Sequence, residues 1–93
     1  MIRSFKCKET EDIWNGQVSR RFHREIQDRA LRKLRQLDAS NGLDDLRSAP
    51  SNRLEALKAA RAGQMSIRIN DQWRICFVWA DGDANAVEIV DYH

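Results

Sequence analysis

The sequence lacks any long apolar run. Its 93 residues are 42% hydrophobic and 32% charged, and no apolar stretch approaches the ~20 residues that a membrane-spanning helix needs. The opening segment, MIRSFKCKETED, contains no apolar stretch of the kind that a secretory signal carries. We therefore expect a soluble, cytoplasmic protein that needs no membrane, and a chain of this length fits a single domain over residues 1–93.

Cysteine and histidine are also scarce. The chain has two cysteines, Cys7 and Cys76, and two histidines, His23 and His93. No CxxC or HxxxH pattern occurs, so we expect no structural zinc site. Both cysteines stand in apolar, strand-like segments, which in an intracellular protein favours packed, reduced thiols over a disulfide.

Basic residues are concentrated in the middle of the chain, although the net charge is only +2. Between Ser19 and Leu37, seven Arg or Lys residues stand with only two acids, Glu25 and Asp28, which gives this stretch a local charge of +5. Acidic residues gather towards the two ends of the chain. A basic body with its acids set apart indicates a polyanion as partner.

The first half of the sequence predicts one short strand followed by helices. MIRSFKC alternates, which predicts a strand with Ile2 and Phe5 on opposite sides. ETEDIWNG predicts one or two helical turns. The stretch SRRFHREIQDRALRKLRQLDASNG has apolar residues at steps of three and four and predicts a long helix, with Ser19 as its N-terminal cap. LDDLRSAPSN predicts a helical turn and a loop around Pro50.

The second half predicts three strands. MSIRIND, QWRICFVWA and NAVEIVDY have the strand pattern, and Asp-Gly in the DGD segment between the last two is a strong hairpin signal. The preceding segment, NRLEALKAARAGQ, fits either a short helix or a loop. The predicted fold class is therefore α+β: an N-terminal strand, one or two helices covering one sheet face, and a three-stranded antiparallel meander.

The residues Asp91, Tyr92 and His93 would bring three different chemistries to the end of the last strand. Histidine gives or takes a proton near neutral pH, tyrosine stacks on a base or donates a hydrogen bond, and aspartate can orient the imidazole. The plainer alternative is that Tyr92 packs on the core and the other two side chains are solvated. Sequence physics alone leaves both open.

Two strand arginines, Arg68 and Arg74, alternate with isoleucines and could emerge on the same side of a twisted sheet. Two guanidinium groups there would hold a phosphate bidentately; alternatively, each extends to solvent or to a nearby acid. The segment before them brings Glu55, Lys58 and Arg61 towards the same hairpin. This set of residues suits RNA cleavage by 2′-OH attack, and it suits plain RNA binding as well.

Several stretches together resemble a known family: MIRSF, RLEALK, RAGQ, SIRINDQWRICF and VEIVDYH. With them the chain is similar, over essentially its whole length, to the HigB toxins of the RelE/ParE superfamily of bacterial toxin–antitoxin systems. The resemblance implies a RelE-like, microbial-RNase-type fold and metal-independent cleavage of mRNA in the ribosomal A site, which inhibits translation. It implies the 70S ribosome and mRNA as targets and a HigA-type helix-turn-helix antitoxin as partner, with operator DNA bound only through the antitoxin complex.

The resemblance implies roles only for the residues that match. Asp91, Tyr92 and His93 match the family's terminal signature, in which His93 would be the general acid or base, Tyr92 would stack on or orient the nucleotide, and Asp91 would orient His93 or transfer a second proton. Lys58 and Arg74 would neutralise the scissile phosphate. A wider cationic surface for RNA is expected from Arg68, Arg61, Arg20, Arg21 and Arg24.

The sequence departs from the family pattern in three places. Glu55 stands where some relatives have a catalytic histidine in LHPLK, and it would act as a base or orient Lys58. KAAR replaces the more usual Lys-Gly-Asp-Arg, and Met65 replaces an aromatic or histidine before SIRI. Because a lost aromatic would weaken base stacking by ~1–3 kcal/mol, we expect weak or ribosome-selective cleavage.

Two other functions are compatible with part of this pattern. One is a non-enzymatic gyrase inhibitor of the ParE type, which would not need the Asp-Tyr-His ending together with Lys58. The other is a ribosome- or RNA-binding module that leaves mRNA intact, which only the family resemblance argues against.

Overall fold

The computed structural model describes residues 1–91, and Tyr92 and His93 lie outside the described residues. The helices are α1 (Lys8–Trp14), α2 (Arg24–Ala39) and α3 (Leu43–Arg47), and the strands are β1 (Glu55–Ala56), β2 (Met65–Arg68), β3 (Trp73–Ala80) and β4 (Asp83–Asp91). Short 3-10 turns cover Pro50–Asn52 and Ala59–Arg61. Within residues 1–91, no helix has the length and apolar character needed to cross a membrane.

The strands form one antiparallel sheet in the order β1-β2-β3-β4. This confirms the predicted α+β class and its meander, whose last turn has Asp81 and Gly82 both at positive φ (54° and 79°), as Asp-Gly predicts. The sequence pattern did not resolve β1, because a two-residue strand has no periodicity. It pairs with β2, with Glu55 opposite Ser66.

The N-terminal segment forms two isolated parallel bridges to β4 and no continuous strand. The bridges join Ile2 to Ala84 and Phe5 to Val87, and both side chains pack against the main core. The prediction that Ile2 and Phe5 face opposite sides is therefore wrong. The pairing is interrupted at Ala86 of β4, which has φ 51° and donates its N–H to the Ser4 hydroxyl at 2.8 Å, so the simple alternation of a strand does not hold.

Helix α2 begins at Arg24, and the prediction of Ser19 as its cap is wrong. Ser19 is buried and its backbone exchanges hydrogen bonds with the side-chain amide of Gln27: Ser19 N–H donates to Oε1 and Nε2 donates to Ser19 C=O, both at 2.9 Å. Nε2 also donates to the Phe22 carbonyl at 2.6 Å. Because Gln27 satisfies these backbone groups, residues 19–22 stay a loop, and Arg20 and Arg21 lie ahead of the helix.

The main core lies between the helices and one face of the sheet. It contains Ala30, Leu34 and Leu37 of α2, packed with strand residues such as Ile75 and Phe77. The opposite face carries a smaller apolar cluster of Leu57, Cys76 and Val90. We call this opposite face, which also carries Ser66, Arg68, Arg74 and Glu88 by register, the distal face.

Candidate RNA-cleaving site

The two strand arginines lie on the distal face as directly opposed partners. Arg68 of β2 pairs in register with Arg74 of β3, and partners across an antiparallel ladder point to the same side. The sequence alternation therefore placed them together correctly. Their surroundings differ, however, because the Arg68 side chain forms an ion pair with Asp71, whose side chain is 98% exposed.

Arg74 is only 9% exposed and is held from two directions. Its Nε donates to the Ser66 hydroxyl at 2.8 Å, and its Nη2 donates to the Arg53 carbonyl at 2.7 Å. Ser66 is the register partner of Glu55. Arg74 therefore connects β2, β3 and the turn that leads into β1, so that it stands beside the segment carrying the other candidate residues.

Glu55 begins β1, and Lys58 stands in the loop that joins β1 to β2. Both are exposed, and both line an open hollow of about 420 Å³, together with Ala56 and Leu57. Leu57 is buried against the distal face, and its N–H donates to the Gln64 carbonyl at 2.9 Å, which closes the loop. An exposed ammonium group and a carboxylate in one open hollow can meet a phosphate and a hydroxyl of a bound nucleotide.

Arg61, in the same loop, binds Glu88 of β4. Its Nη1 lies 3.0 Å from Oε1 of Glu88 and 3.2 Å from Oε1 of Gln64. Lys6 lies 3.6 Å from the same Glu88 carboxylate, whose side chain is 15% exposed. The signal in the sequence is one acid inside the apolar run AVEIV, but its partners come from two distant segments.

Cys76 lies on the distal face between two register partners, Ser66 on β2 and Glu88 on β4. Burial raises the pKa of its thiol, although the positive charge of Arg61 opposes this. A protonated, buried thiol is a poor nucleophile. Cys7 and Cys76 are both free thiols, which agrees with the sequence interpretation.

Asp91 ends β4 opposite Trp73. Its Oδ2 accepts a hydrogen bond from Gln72 Nε2 at 3.1 Å. The predictions for Tyr92 and His93 concern residues that lie outside the described part of the chain. Met65 packs against the main core, so it is not placed to replace a stacking aromatic. Within residues 1–91, no group of three His, Cys, Asp or Glu side chains could hold a metal ion.

The basic residues near α2 form a second surface. Arg20, Arg21 and Arg24 are exposed; of these, Arg21 lies 3.8 Å from Glu9 and stacks over the Phe22 ring at 5.1 Å. A further hollow of about 310 Å³ is lined by Arg29, Arg32, Lys33 and Gln36.

The charge of this α2 hollow is not neutralised locally. Lys33 donates to the Ser51 hydroxyl at 3.2 Å and to the Asn52 side-chain oxygen, which are both neutral acceptors. Burial lowers the pKa of Lys33, and the positive charges of Arg29 and Arg68 lower it further. Among the residues that the structure describes, no carboxylate forms an ion pair with the three basic residues of the hollow, Arg29, Arg32 and Lys33.

Comparison with known proteins gives consistent matches over the whole chain. A family model described as a RelE-like toxin of the type II toxin-antitoxin system HigB matches residues 3–93. Toxin HigB-1 of Vibrio cholerae is 39% identical over 85 residues, covering 90% of each chain. Endoribonuclease HigB of Proteus vulgaris is 31% identical over 93 residues, covering 100% of each chain.

Solved structures share the fold at lower identity. A chain of the YoeB-YefM complex from Staphylococcus aureus superposes with a TM-score of 0.62 at 18% identity, covering 100% of this chain and 98% of that one. The YoeB/ParE toxin from Agrobacterium tumefaciens gives a TM-score of 0.50 at 17% identity, covering 100% and 99%. At these identities the likeness supports the RelE-like fold and nothing finer.

Proposed function

Because the chain belongs to the HigB-like family of RelE-like toxins from type II toxin-antitoxin systems, we propose that it is an endoribonuclease that cleaves mRNA in the ribosomal A site and thereby inhibits translation. The endoribonuclease activity is that named for the Proteus vulgaris relative. The match over residues 3–93 supports one toxin domain over the chain, and activity on ribosomes would be cytoplasmic.

The observation that carries the proposal is the position of Arg74 beside the β1–β2 loop. Its guanidinium contacts Ser66, the partner of Glu55, and the Arg53 carbonyl two residues before that glutamate. Arg74 and the hollow lined by Glu55 and Lys58 therefore belong to neighbouring parts of one surface. Two cations can stabilise the phosphorane and an adjacent carboxylate can take the 2′-OH proton, which are two of the requirements of phosphodiester transfer.

In the proposed reaction, the ribose 2′-OH attacks its own 3′-phosphorus and the bond to the 5′-oxygen of the next nucleotide breaks. Lys58 and Arg74 stabilise the added negative charge of the pentavalent phosphorane, so the proposal needs no metal. Glu55 takes the 2′-OH proton or orients Lys58. His93 acts as the general acid or base, Tyr92 stacks on or orients the nucleotide, and Asp91 orients His93 or moves the second proton; the roles of Tyr92 and His93 rest on the sequence.

Two further contacts belong to the proposal. Exposed arginines ahead of and within α2, with Arg68 at the distal face, would meet RNA phosphates by charge and not by base sequence. Family membership implies an antitoxin partner; we propose a HigA-type helix-turn-helix protein, through which the pair would contact operator DNA.

The proposal is tested by primer extension on a reporter mRNA in a reconstituted translation system, with and without ribosomes. We expect cleavage only when ribosomes translate the message, loss of cleavage when His93 is deleted, and upstream fragments that end in a 2′,3′-cyclic phosphate. A 3′-hydroxyl end would contradict 2′-OH attack. Intact mRNA in every reaction would contradict the endoribonuclease assignment and call for gyrase assays.

A further inference from the structure

Glu88 occupies an unusual place on a surface that is proposed to bind RNA. It is a carboxylate with a 15% exposed side chain on the distal face, directly opposite Cys76. A negative charge there would repel a phosphate, so Glu88 must have a role on this surface other than binding RNA. Lys6 and Arg61 lie within 3.6 Å and 3.0 Å of it, so the group carries two cations for one carboxylate.

The Arg61 contact reaches into the loop that carries Lys58. The 3-10 turn Ala59–Arg61 follows Lys58 directly, and Arg61 N–H donates to the Lys58 carbonyl at 3.1 Å. The turn includes Ala59 at φ 56°, in the left-handed region that alanine disfavours. The contact between Arg61 and Glu88 of β4 therefore helps to hold a loop that contains a residue in a disfavoured backbone conformation.

We propose that Glu88 is a positioning residue for cleavage: by binding Arg61 it fixes the turn after Lys58 on the distal face, and so sets where the Lys58 ammonium meets the scissile phosphate. This inference rests on the proposed endoribonuclease function. Arg61 then serves as the link between Glu88 and the loop, and a shift of about 1 Å in the position of a catalytic group is enough to cost up to ~10² in rate.

A purely electrostatic role for Glu88 predicts different changes in kcat and KM from a positioning role, which makes the inference testable. If Glu88 merely weakened an RNA-binding Arg61, Glu88→Gln would free a cation for phosphate, lowering KM and leaving kcat unchanged. If Glu88 positions the loop, Glu88→Gln keeps the side-chain shape but loses the charge, so kcat falls roughly tenfold or more while KM does not rise.

The chain offers a closely matched control. Asp83 lies on the same strand, its side chain is 18% exposed, and it binds Arg3 at 2.9 Å, but its partners belong to the N-terminal segment. Asp83→Asn should leave kcat and KM at their wild-type values, and urea unfolding should show whether the two variants are equally stable. Equal stability combined with a loss of kcat only in Glu88→Gln would exclude a general structural effect.

The decisive measurement is a double-mutant cycle with Lys58, using ribosome-bound mRNA as substrate. If Glu88 acts through Lys58, Glu88→Gln lowers kcat in the wild-type background and has no further effect in Lys58→Ala. Additive losses, an unchanged kcat, or a change in KM alone would overturn the inference.

A second readout separates this inference from the proposed function. Hydrogen exchange of the Arg61, Ala62 and Gln64 amides, which all donate to carbonyls within the β1–β2 loop, should become several-fold faster in Glu88→Gln and not in Asp83→Asn. Unchanged exchange would overturn the positioning role even if the wild type cleaves. Faster exchange in a protein that does not cleave mRNA would leave the link between Glu88 and the loop standing and overturn the endoribonuclease assignment.

Discussion

Arg68 and Arg74 face each other across two strands, yet the structure predicts very different roles for them in stability. Arg74 is buried and donates to Ser66 and to the Arg53 carbonyl. Arg74→Ala leaves the buried Ser66 hydroxyl and the Arg53 carbonyl without this donor, and we expect it to lower the free energy of unfolding by ~2–4 kcal/mol. Arg68→Ala removes only a solvent-exposed ion pair with Asp71 and should cost less than ~1 kcal/mol. Urea unfolding of both variants checks this, and equal losses would contradict it.

Lys58 is exposed, so its loss should affect catalysis and not folding. Lys58→Ala should lower the rate of ribosome-dependent cleavage by ~10² and change the free energy of unfolding by no more than ~0.5 kcal/mol. The matched control is Lys8→Ala, which removes an exposed lysine from α1, where its partner is Asp12. A cleavage rate that falls equally in both variants would argue against a role for Lys58 at the phosphate.

The sequence predicted the side on which each strand arginine lies, because alternation is a local property. It did not predict which one is buried. That depends on the Arg53 carbonyl, 21 positions from Arg74 along the chain, and on the packing of Leu57 over Cys76 and Val90. The sequence did not predict the partners of Glu88 either, because Lys6 and Arg61 stand in the first and third quarters of the chain.

At the level of elements, the β1–β2 loop has an alanine in a backbone conformation that glycine adopts more favourably. Ala59 has φ 56°, and an L-residue in this region costs ~1–2 kcal/mol. We expect Ala59→Gly to raise the free energy of unfolding by about 0.5–1 kcal/mol, after allowance for the greater freedom of glycine in the unfolded chain.

The neighbouring alanine supplies the control for this loop prediction. Ala60 lies in the same 3-10 turn but is not among the residues with positive φ. Ala60→Gly should therefore destabilise by ~0.5–1 kcal/mol, because glycine adds only unfolded-state entropy there. Urea unfolding of the two variants should give shifts of opposite sign, and shifts of the same sign would contradict the account of the loop.

Helix α2 illustrates what element-level patterns miss. The apolar spacing correctly predicted a helix that buries Ala30, Leu34 and Leu37. Its start was predicted wrongly, because Ser19 is a good capping residue by type but its backbone is engaged by Gln27 from within the helix. A side-chain amide that binds a loop leaves no local signature in the sequence.

For the whole molecule, the N-terminal segment is coupled to the sheet by an acid-sensitive contact. Hydrogen bonds from Arg3 and from the N-terminal amine lower the pKa of Asp83 below its ordinary value. Since the folded-state pKa is the lower one, this contribution to stability is present above the unfolded-state pKa, and it is lost as the pH falls through the folded-state pKa, below about pH 4.

We therefore expect the free energy of unfolding to fall more with acidification in the wild type than in Asp83→Asn. Urea unfolding between about pH 6 and about pH 3 measures this difference. Asp81→Asn, in the adjacent turn and in no ion pair that the structure describes for residues 1–91, should keep the wild-type profile. Parallel curves for Asp83→Asn and the wild type would contradict the role of this contact.

The α2 hollow predicts how the molecule responds to salt. Arg29 and Arg32 line it without a carboxylate partner among residues 1–91. If they meet RNA phosphates, Arg29→Ala and Arg32→Ala should each weaken RNA binding and reduce the slope of log affinity against log salt by ~1. Fluorescence anisotropy with ribosomal RNA fragments measures the slope. Arg47→Ala, whose partner is Asp44, should leave it unchanged, and equal slopes in all variants would argue against RNA contact at the hollow.

The sequence by itself determined the α+β order, the meander, the Asp-Gly hairpin, the side of the sheet on which Arg68 and Arg74 lie, and the resemblance to HigB toxins. All of these are set by neighbouring residues, by their periodicity or by matched motifs. Only the tertiary structure decided that Arg74 is buried, that Glu88 binds Arg61, and that α2 begins at Arg24. These outcomes depend on contacts between segments distant in the chain, where burial makes each unpaired polar group costly and so selects one partner among several.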